Sequence, residues 1–451
     1  LNNPNKSFQT FPVLDLKYRP LEDMVIKAVE DFGPDIVHIH NMIQIPIMVI
    51  DKIKSRLDLP IICTIRDYWY VCPFYSLMNW QGSLCSADNN AENCEACFKE
   101  RNTLFQSATE HHTWPSEFLK RKETMIRSLN KVDLITFVSD YLRQQYLGLG
   151  ITPEKSIVVT SGVPFKKVRL FTKRHAEGPL QIAFLGYATS IKGAYFFLES
   201  LARWKGPPIV VHFWGGIENE DCFQGRVENL INVKVITHGE YERNKIQDLL
   251  SGISVGIVPS LWPDTAPQVI FDFFASGIPI IASRIGGIPE FVRHGHNGLL
   301  FNPGDHEDLM NCLESVIQDS SFLKRLSKNV TFPRTSDEYA KEIFTNYTKL
   351  LRHESNTVPM AIELGGGETP HRRREGFLNI DFRNIPGVDV VADVKALPFR
   401  SNSMTQVYCC NIAEHFCRAE FTSLFKEWWR IICVGGWIDV IVPDTVALSL
   451  F

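Results

Sequence analysis

The chain has 451 residues, of which 45% are apolar and 22% charged, with a formal net charge of −4. That length predicts about three domains, and the charge balance leaves no electrostatic footprint for nucleic acid as a partner. No apolar run reaches membrane-spanning length, and eleven cysteines in so long a chain do not make a disulfide scaffold, so a reducing cytoplasm is the default compartment. The chain starts at Leu1 rather than Met, and the expectation is a fragment at both ends.

Residues 35–40 (DIVHIH) read as a strand, 47–57 as a helix, 60–65 as a strand and 132–139 as another, with Asp140 placed to cap the next helix. Such alternation implies a parallel sheet covered by helices, an α/β class. Thr64, Ile65, Arg66, Asp67, Tyr68 and Trp69 follow the second strand. Arg66 either pairs with a phosphate in bidentate fashion or is a surface residue paired with Asp67. His38 and His40 read as strand residues near a cleft rather than as catalytic bases. An insert then carries Cys72, Cys85, Cys94 and Cys97. Four thiolates could close a tetrahedral zinc site, and Cys94 and Cys97 form a C-x-x-C. The irregular spacing leaves reduced structural thiols as the alternative.

A second run begins at Gln181, with a strand at 182–185, a loop at 186–193 and a helix at 194–201. Lys192 stands where loop meets helix, and a point cation there can neutralise a diphosphate leaving group. Strands at 209–214, 233–237 and 253–258 continue the pattern. Pro259 ends the last of them, and Pro267 suits the first turn of a helix. Val269, Ile270, Phe273 and Phe274 make that helix's apolar face. Asp264 in the loop and Asp272 on the helix are eight positions apart. After a strand at 278–282, Gly286 and Gly287 precede a helix opening near Ile288 or Pro289. Free N–H groups there, beside glycines, make an anion site. One crevice with two carboxylates for hydroxyls and a nest for phosphate describes a sugar-nucleotide site. A strand at 298–301 and a polar-faced helix at 335–352 complete this part.

These motifs resemble the donor site of retaining GT-B glycosyltransferases, especially glycosyltransferase family 4. That family has two acidic residues separated by seven positions, then A-x-G-x-P, then G-G-x-P-E. Here they are Asp264 and Asp272, the run from Ala275 to Pro279, and the run from Gly286 to Glu290. The family usually has Glu at both acidic positions, and Asp is shorter by roughly 1.5 Å. Residues 35–41 and 64–69 resemble the family's acceptor-side motifs, with Arg66 in place of a histidine that touches the donor sugar or its diphosphate. Lys192-Gly193 matches a K-G pair, but Tyr187 stands where an Arg usually follows Gly186. The resemblance implies two Rossmann-like domains facing a cleft, an acceptor-side domain at 1–172 and a nucleotide-sugar domain at 173–355. It implies Asp264, Lys192 and Arg66 as catalytic residues, and Gly186, Lys192, Asp272, Gly286 and Gly287 as donor-binding ones. No D-x-D metal motif appears, so phosphate charge falls to Lys192 and the backbone.

Near Val358 the pattern restarts. A strand at 361–364 runs into Gly365, Gly366 and Gly367, and a strand at 377–381 ends in Asp381. A glycine turn with an acid after the second strand suits a nucleoside cofactor. Together with the runs 392–399, 411–416 and 429–436, this resembles class I S-adenosylmethionine-dependent methyltransferases. The resemblance implies a partial domain at 356–451 with S-adenosylmethionine at Gly365, Gly367, Asp381 and Asp393. Glu414 and His415 match a motif without an assignable role. The expectation is a cytoplasmic protein, with peripheral contact at the inner face of a membrane left open. It transfers a sugar from a nucleotide-sugar to a glycan or lipid-linked acceptor and carries a methyltransferase-like second domain. The alternative is a degenerate module that only binds glycan or nucleotide.

Overall fold

The computed structural model describes residues 16–43, 45–85, 91–101, 114–165, 178–353, 360–368, 377–410, 412 and 415–442. The expected domain boundaries near 172 and 355, and Glu414, lie outside the described residues. The chain divides into two compact units, Leu1–Ile343 and Phe344–Phe451.

The first unit holds two sheets. One contains Val37–Ile39 (β1), Ile61–Ile65 (β2), Leu134–Phe137 (β3) and Ser156–Val158 (β4), parallel and in sequence order. β2 reads IICTI and all five residues are buried. A strand covered on both faces has no polar face to show, so its sequence does not alternate. The helix after β3 is Asp140–Leu147, and its cap differs from expectation. Ser139 is extended and its side chain accepts from the Leu142 N–H, while Asp140 is the first helical residue. Asp140 thus lies in the first turn, where a carboxylate favours the helix dipole.

The second sheet contains Leu180–Leu185 (β5), Ile209–Trp214 (β6), Val233–Thr237 (β7), Val255–Val258 (β8), Ile280–Ser283 (β9) and Gly298–Phe301 (β10). Its order is β10-β9-β8-β5-β6-β7, all parallel. The direction of winding reverses between β5 and β8, so the loops after these two strands part and leave a crevice. A single hydrophobic cluster runs from Ile61, Cys63 and Ile135 of the first sheet to Ala183, Val258 and Phe273 of the second half. The chain crosses back where Val163 pairs with Thr335, just before the helix Ser336–His353.

The second unit is a parallel sheet of Met360–Leu364 (β11), Phe377–Asp381 (β12), Val390–Val391 (β13), Met404–Cys410 (β14) and Ile432–Ile441 (β15). The order β13-β12-β11-β14-β15 places its reversal between β11 and β14. Trp428, on the helix Arg418–Ile431, is fully buried and donates its indole N–H to the Val394 carbonyl. Among the described residues, no helix is long and apolar enough to cross a membrane.

Candidate active site

A cavity of about 330 Å³ opens at the crevice of the second sheet. Phe184 and Leu185 at the end of β5, and Ile257 and Val258 at the end of β8, form its floor. Arg66, Lys192, Trp262, Asp264 and Thr265 supply its polar wall. Lys192 is delivered by a tight turn. Gly193 has φ +75°, and a Cβ on it would lie 1.7 Å from the Pro259 carbonyl oxygen. Only glycine lets the β5 loop press this closely on the β8 loop. The Lys192 ammonium folds back over Gly186, 3.7 Å from where a Cβ on that glycine would stand.

Asp264 is half-buried, and loss of water pushes its carboxyl up to about 6. The Lys192 ammonium and the N–H groups of Thr265 and Ala266 pull the other way. Burial disfavours the charged form, while a nearby cation and donated hydrogen bonds favour it. Here burial wins, so the carboxyl sits close to its protonation midpoint in mildly acidic solution.

The wall has contributions from both sheets. Arg66, at the end of β2, donates to the Ser161 hydroxyl at 3.1 Å. Asp67, the partner considered from sequence, instead accepts from the Trp69 N–H. Tyr68 donates to the Pro263 carbonyl at 2.7 Å, and Thr265 donates to the Arg66 carbonyl at 2.6 Å. Glu290 reaches across and accepts from the N–H groups of Asp140 and Tyr141. Its carboxylate therefore caps the helix Asp140–Leu147, whose orphan donors favour an anion. The sequence showed Glu290 within a motif but held no sign of this role. His38 lies further back, its ring 2.7 Å from the Thr64 hydroxyl and stacked on His40. Burial, with His40 and Arg66 nearby, brings His38 down to about 4, so it is a neutral strand residue near the cleft.

Other expected site residues stand apart from this cavity. Asp272 is 3% exposed and does not line it, and Arg243 holds its Oδ1 at 2.9 Å. Burial raises the Asp272 carboxyl and Arg243 opposes the shift. Tyr187 is 38% exposed and packs against Gly216, outside the cavity wall. At the anion nest expected at Gly286 and Gly287, two of the N–H groups already have backbone partners. The Gly287 N–H donates to the Asp264 carbonyl at 2.8 Å, and the Ile288 N–H is taken by Ile285. A Cβ on Gly286 or Gly287 would come within 2.3 Å of the Asp264 or Thr265 carbonyl oxygen. These glycines serve to bring Asp264 and Thr265 into place, and the helix Ile288–Phe291 behind them is only four residues long.

In the second unit, Gly365 and Gly367 follow β11 with φ +62° and +59°, and Gly365 packs against Ile412. Asp381 ends β12, and Arg383 holds its carboxyl below the usual range by donating to both oxygens. Asp393 is exposed and accepts from the Lys395 N–H. These residues cluster near the reversal of the sheet except Asp393, whose carboxylate closes a local turn. In the first unit, Cys72, Cys85, Cys94 and Cys97 line one further cavity. Among the described residues, no three His, Cys, Asp or Glu side chains are already arranged to hold a metal ion.

Comparison with known proteins agrees with this architecture. Residues 9–167 match the model for Glycosyltransferase Family 4, residues 167–331 that for Glycosyl transferases group 1, and residues 372–440 that for a Methyltransferase domain. The chain is 32% identical to the sulfoquinovosyl transferase SQD2 of Arabidopsis thaliana over 26% of this chain and 22% of that one. It is 25% identical to the lipopolysaccharide core biosynthesis glycosyltransferase LpsE of Rhizobium meliloti over 39% of this chain and 50% of that one. The chain thus spans half or less of the length of these two curated relatives. The crystal structure of Anabaena HepE in complex with UDP-glucose is 15% identical, with a TM-score of 0.54 over 73% of this chain and 82% of that one. The sucrose-phosphate synthase of Thermosynechococcus elongatus is 17% identical, with a TM-score of 0.55 over 74% and 78%. These two likenesses establish the GT-B fold.

Proposed function

Because residues 9–331 belong to the family 4 and group 1 glycosyltransferases, we propose that this chain moves a hexose-like unit from a nucleotide-sugar to a hydroxyl of a glycan or lipid-linked acceptor, with retention at the anomeric carbon. The observation that carries this reading is the meeting of Lys192, Arg66 and Asp264 in one cavity at the β5–β8 reversal. Lys192 and Arg66 neutralise the diphosphate as its bond to the sugar breaks, where preorganised charge lowers the barrier most. Asp264 accepts hydrogen bonds from sugar hydroxyls. The leaving diphosphate takes the acceptor's proton on the face it departs from. Asp272 reaches the donor ribose once Arg243 shares or yields its carboxylate. The UDP-glucose bound by HepE supports trying UDP-sugars first.

The test is slow donor hydrolysis without acceptor, followed by proton NMR against UDP-, GDP-, ADP- and dTDP-sugars. Release of the nucleoside diphosphate with the donor's anomeric configuration in the first-formed sugar supports the reading. Inverted sugar rejects retention. A chain that gains thermal stability from a nucleotide-sugar yet never hydrolyses it is a binding module, the alternative that the Arg243–Asp272 pair favours. For the second unit, S-adenosylmethionine binding at Gly365, Gly367 and Asp381 is our reading. It rests on the Methyltransferase domain match and on the acid at the end of β12, and calorimetric titration tests it.

A further inference from the structure

Among the described residues, the insert that follows Tyr68, Trp69 and Tyr70 does not line the donor cavity, yet its backbone is unusually constrained. Tyr75 and Leu77 have φ of +49° and +52°. Bulky residues in the left-handed region are rare and cost of order 1–3 kcal/mol each. This loop turns around one atom, the sulfur of Cys72, which receives the backbone N–H groups of Leu77 and Phe74. The same loop ties Cys85 in, since the Cys85 N–H donates to the Leu77 carbonyl at 2.7 Å. Opposite lies the helix Ala91–Arg101, on which Cys94 and Cys97 are three residues apart and so share a face. All four thiols line a single cavity of about 40 Å³, room enough for an ion or a water molecule. Arg121, 1% exposed, and Lys122 bring positive charge to the same wall.

The two N–H groups that reach the Cys72 sulfur would serve a metal-bound thiolate better than a thiol, which is a weak acceptor. We propose that Cys72, Cys85, Cys94 and Cys97 form a binding site for one thiophilic divalent cation, with zinc as the expected occupant. Four sulfur donors from a loop, a hairpin and a helix face select a soft-accepting ion of tetrahedral preference. The cation converts all four thiols to thiolates with release of their protons. The resulting excess of two negative charges is offset by Arg121 and Lys122 and by the N–H groups at Cys72. In the metal-free form burial holds Cys72 and Cys94 as thiols, and Cys94 is pushed up to about 12 by burial with its three cysteine neighbours adding to the shift. Binding requires the side chains to turn inward, since no ready-made coordination sphere stands among the described residues. The ion would tie the insert between Tyr70 and the helix Trp114–Leu129, a structural role separate from sugar transfer.

The experiment uses the full chain expressed with zinc available and purified without chelator. Elemental analysis is expected to find about one zinc per chain. Titration with a mercurial reagent should release it in step with about four thiols. A Cys94→Ser/Cys97→Ser double variant should lose the metal, whereas Cys222→Ser, at an exposed position, should keep it. Wild-type protein with less than about a tenth of an equivalent after zinc loading overturns the proposal. So does non-reducing mass spectrometry that shows disulfides among these four cysteines. Both readouts on the wild-type chain stand even if the double variant does not fold.

Discussion

Replacing Asp264 with asparagine should make the protein more stable while it loses turnover. The carboxyl is moved from an ordinary 3.8 to about 6 by burial. Because the folded value is above the unfolded one, the folded chain binds more protons between about pH 4 and pH 6. Stability from this group is therefore full below about pH 4 and is lost as pH rises through about 6. A shift of roughly two units corresponds to about 3 kcal/mol carried as a penalty at neutral pH. An asparagine side chain at this position would have nearly the same shape and no charge to bury. For a unit of this size, about 3 kcal/mol amounts to a melting-temperature gain of roughly 4 °C. Differential scanning fluorimetry of Asp264→Asn against wild type from about pH 4 to about pH 8 measures it. The gain should be largest near about pH 7.5 and absent by about pH 4. A variant less stable than wild type at the upper end, or an equal gain at the acidic end, would refute the reasoning.

Lys192→Ala should lower kcat by about 10²–10³ while Lys192→Arg keeps much of it, because a cation is needed where leaving-group charge develops; steady-state kinetics decides it, and full kcat in the alanine variant rejects the role. Gly193→Ala should destabilise by about 2–4 kcal/mol in urea melts, from the Pro259 carbonyl contact and the positive φ; an unchanged midpoint contradicts the close approach. Asp272→Ala should mainly raise KM, and Asp264→Ala mainly lower kcat, since ribose contacts are alike in ground and transition states; identical effects on both constants reject that division. Arg383→Ala should tighten S-adenosylmethionine binding in calorimetry if the Asp381 carboxylate serves the ribose; unchanged or weaker binding removes Asp381 from that role.

The sheets were legible because buried parallel strands are written as β-branched runs. Ile253 to Val258 and Ile278 to Ala282 located β8 and β9 within about two residues at their ends. That Lys192 and Asp264 would meet at one cavity was legible because both sit at loop ends, next to residues that mark strand and helix limits. What the sequence hid were side-chain partners distant in the chain. Arg243 lies 29 residues before Asp272, and nothing local announces that they pair. Ser161 is 95 residues from Arg66, so the nearby Asp67 looked the better partner. The packing role of the glycines of the 286–287 turn was hidden for a related reason. A glycine that opens a nest and one that admits a neighbouring carbonyl look alike in sequence, and only the packing against Asp264 and Thr265 separates them. Ser139 and Asp140 are both good caps, and the choice fell to backbone conformation.

The bonds from Tyr68 to Pro263, from Thr265 to Arg66 and from Glu290 to the helix Asp140–Leu147 join the two sheets of the first unit without any ligand. Glu290 accepts two of these four bonds, and at about 1 kcal/mol net for each they hold the two sheets together by about 4 kcal/mol. A donor that had to part these sheets to enter would spend that energy first, and its apparent affinity would be weaker for it. Glu290→Gln would relax this hold at a carboxylate outside the wall of the donor cavity. On the proposed function, Glu290 would govern how firmly the two sheets are held, while Lys192 and Asp264 would act on the bound donor.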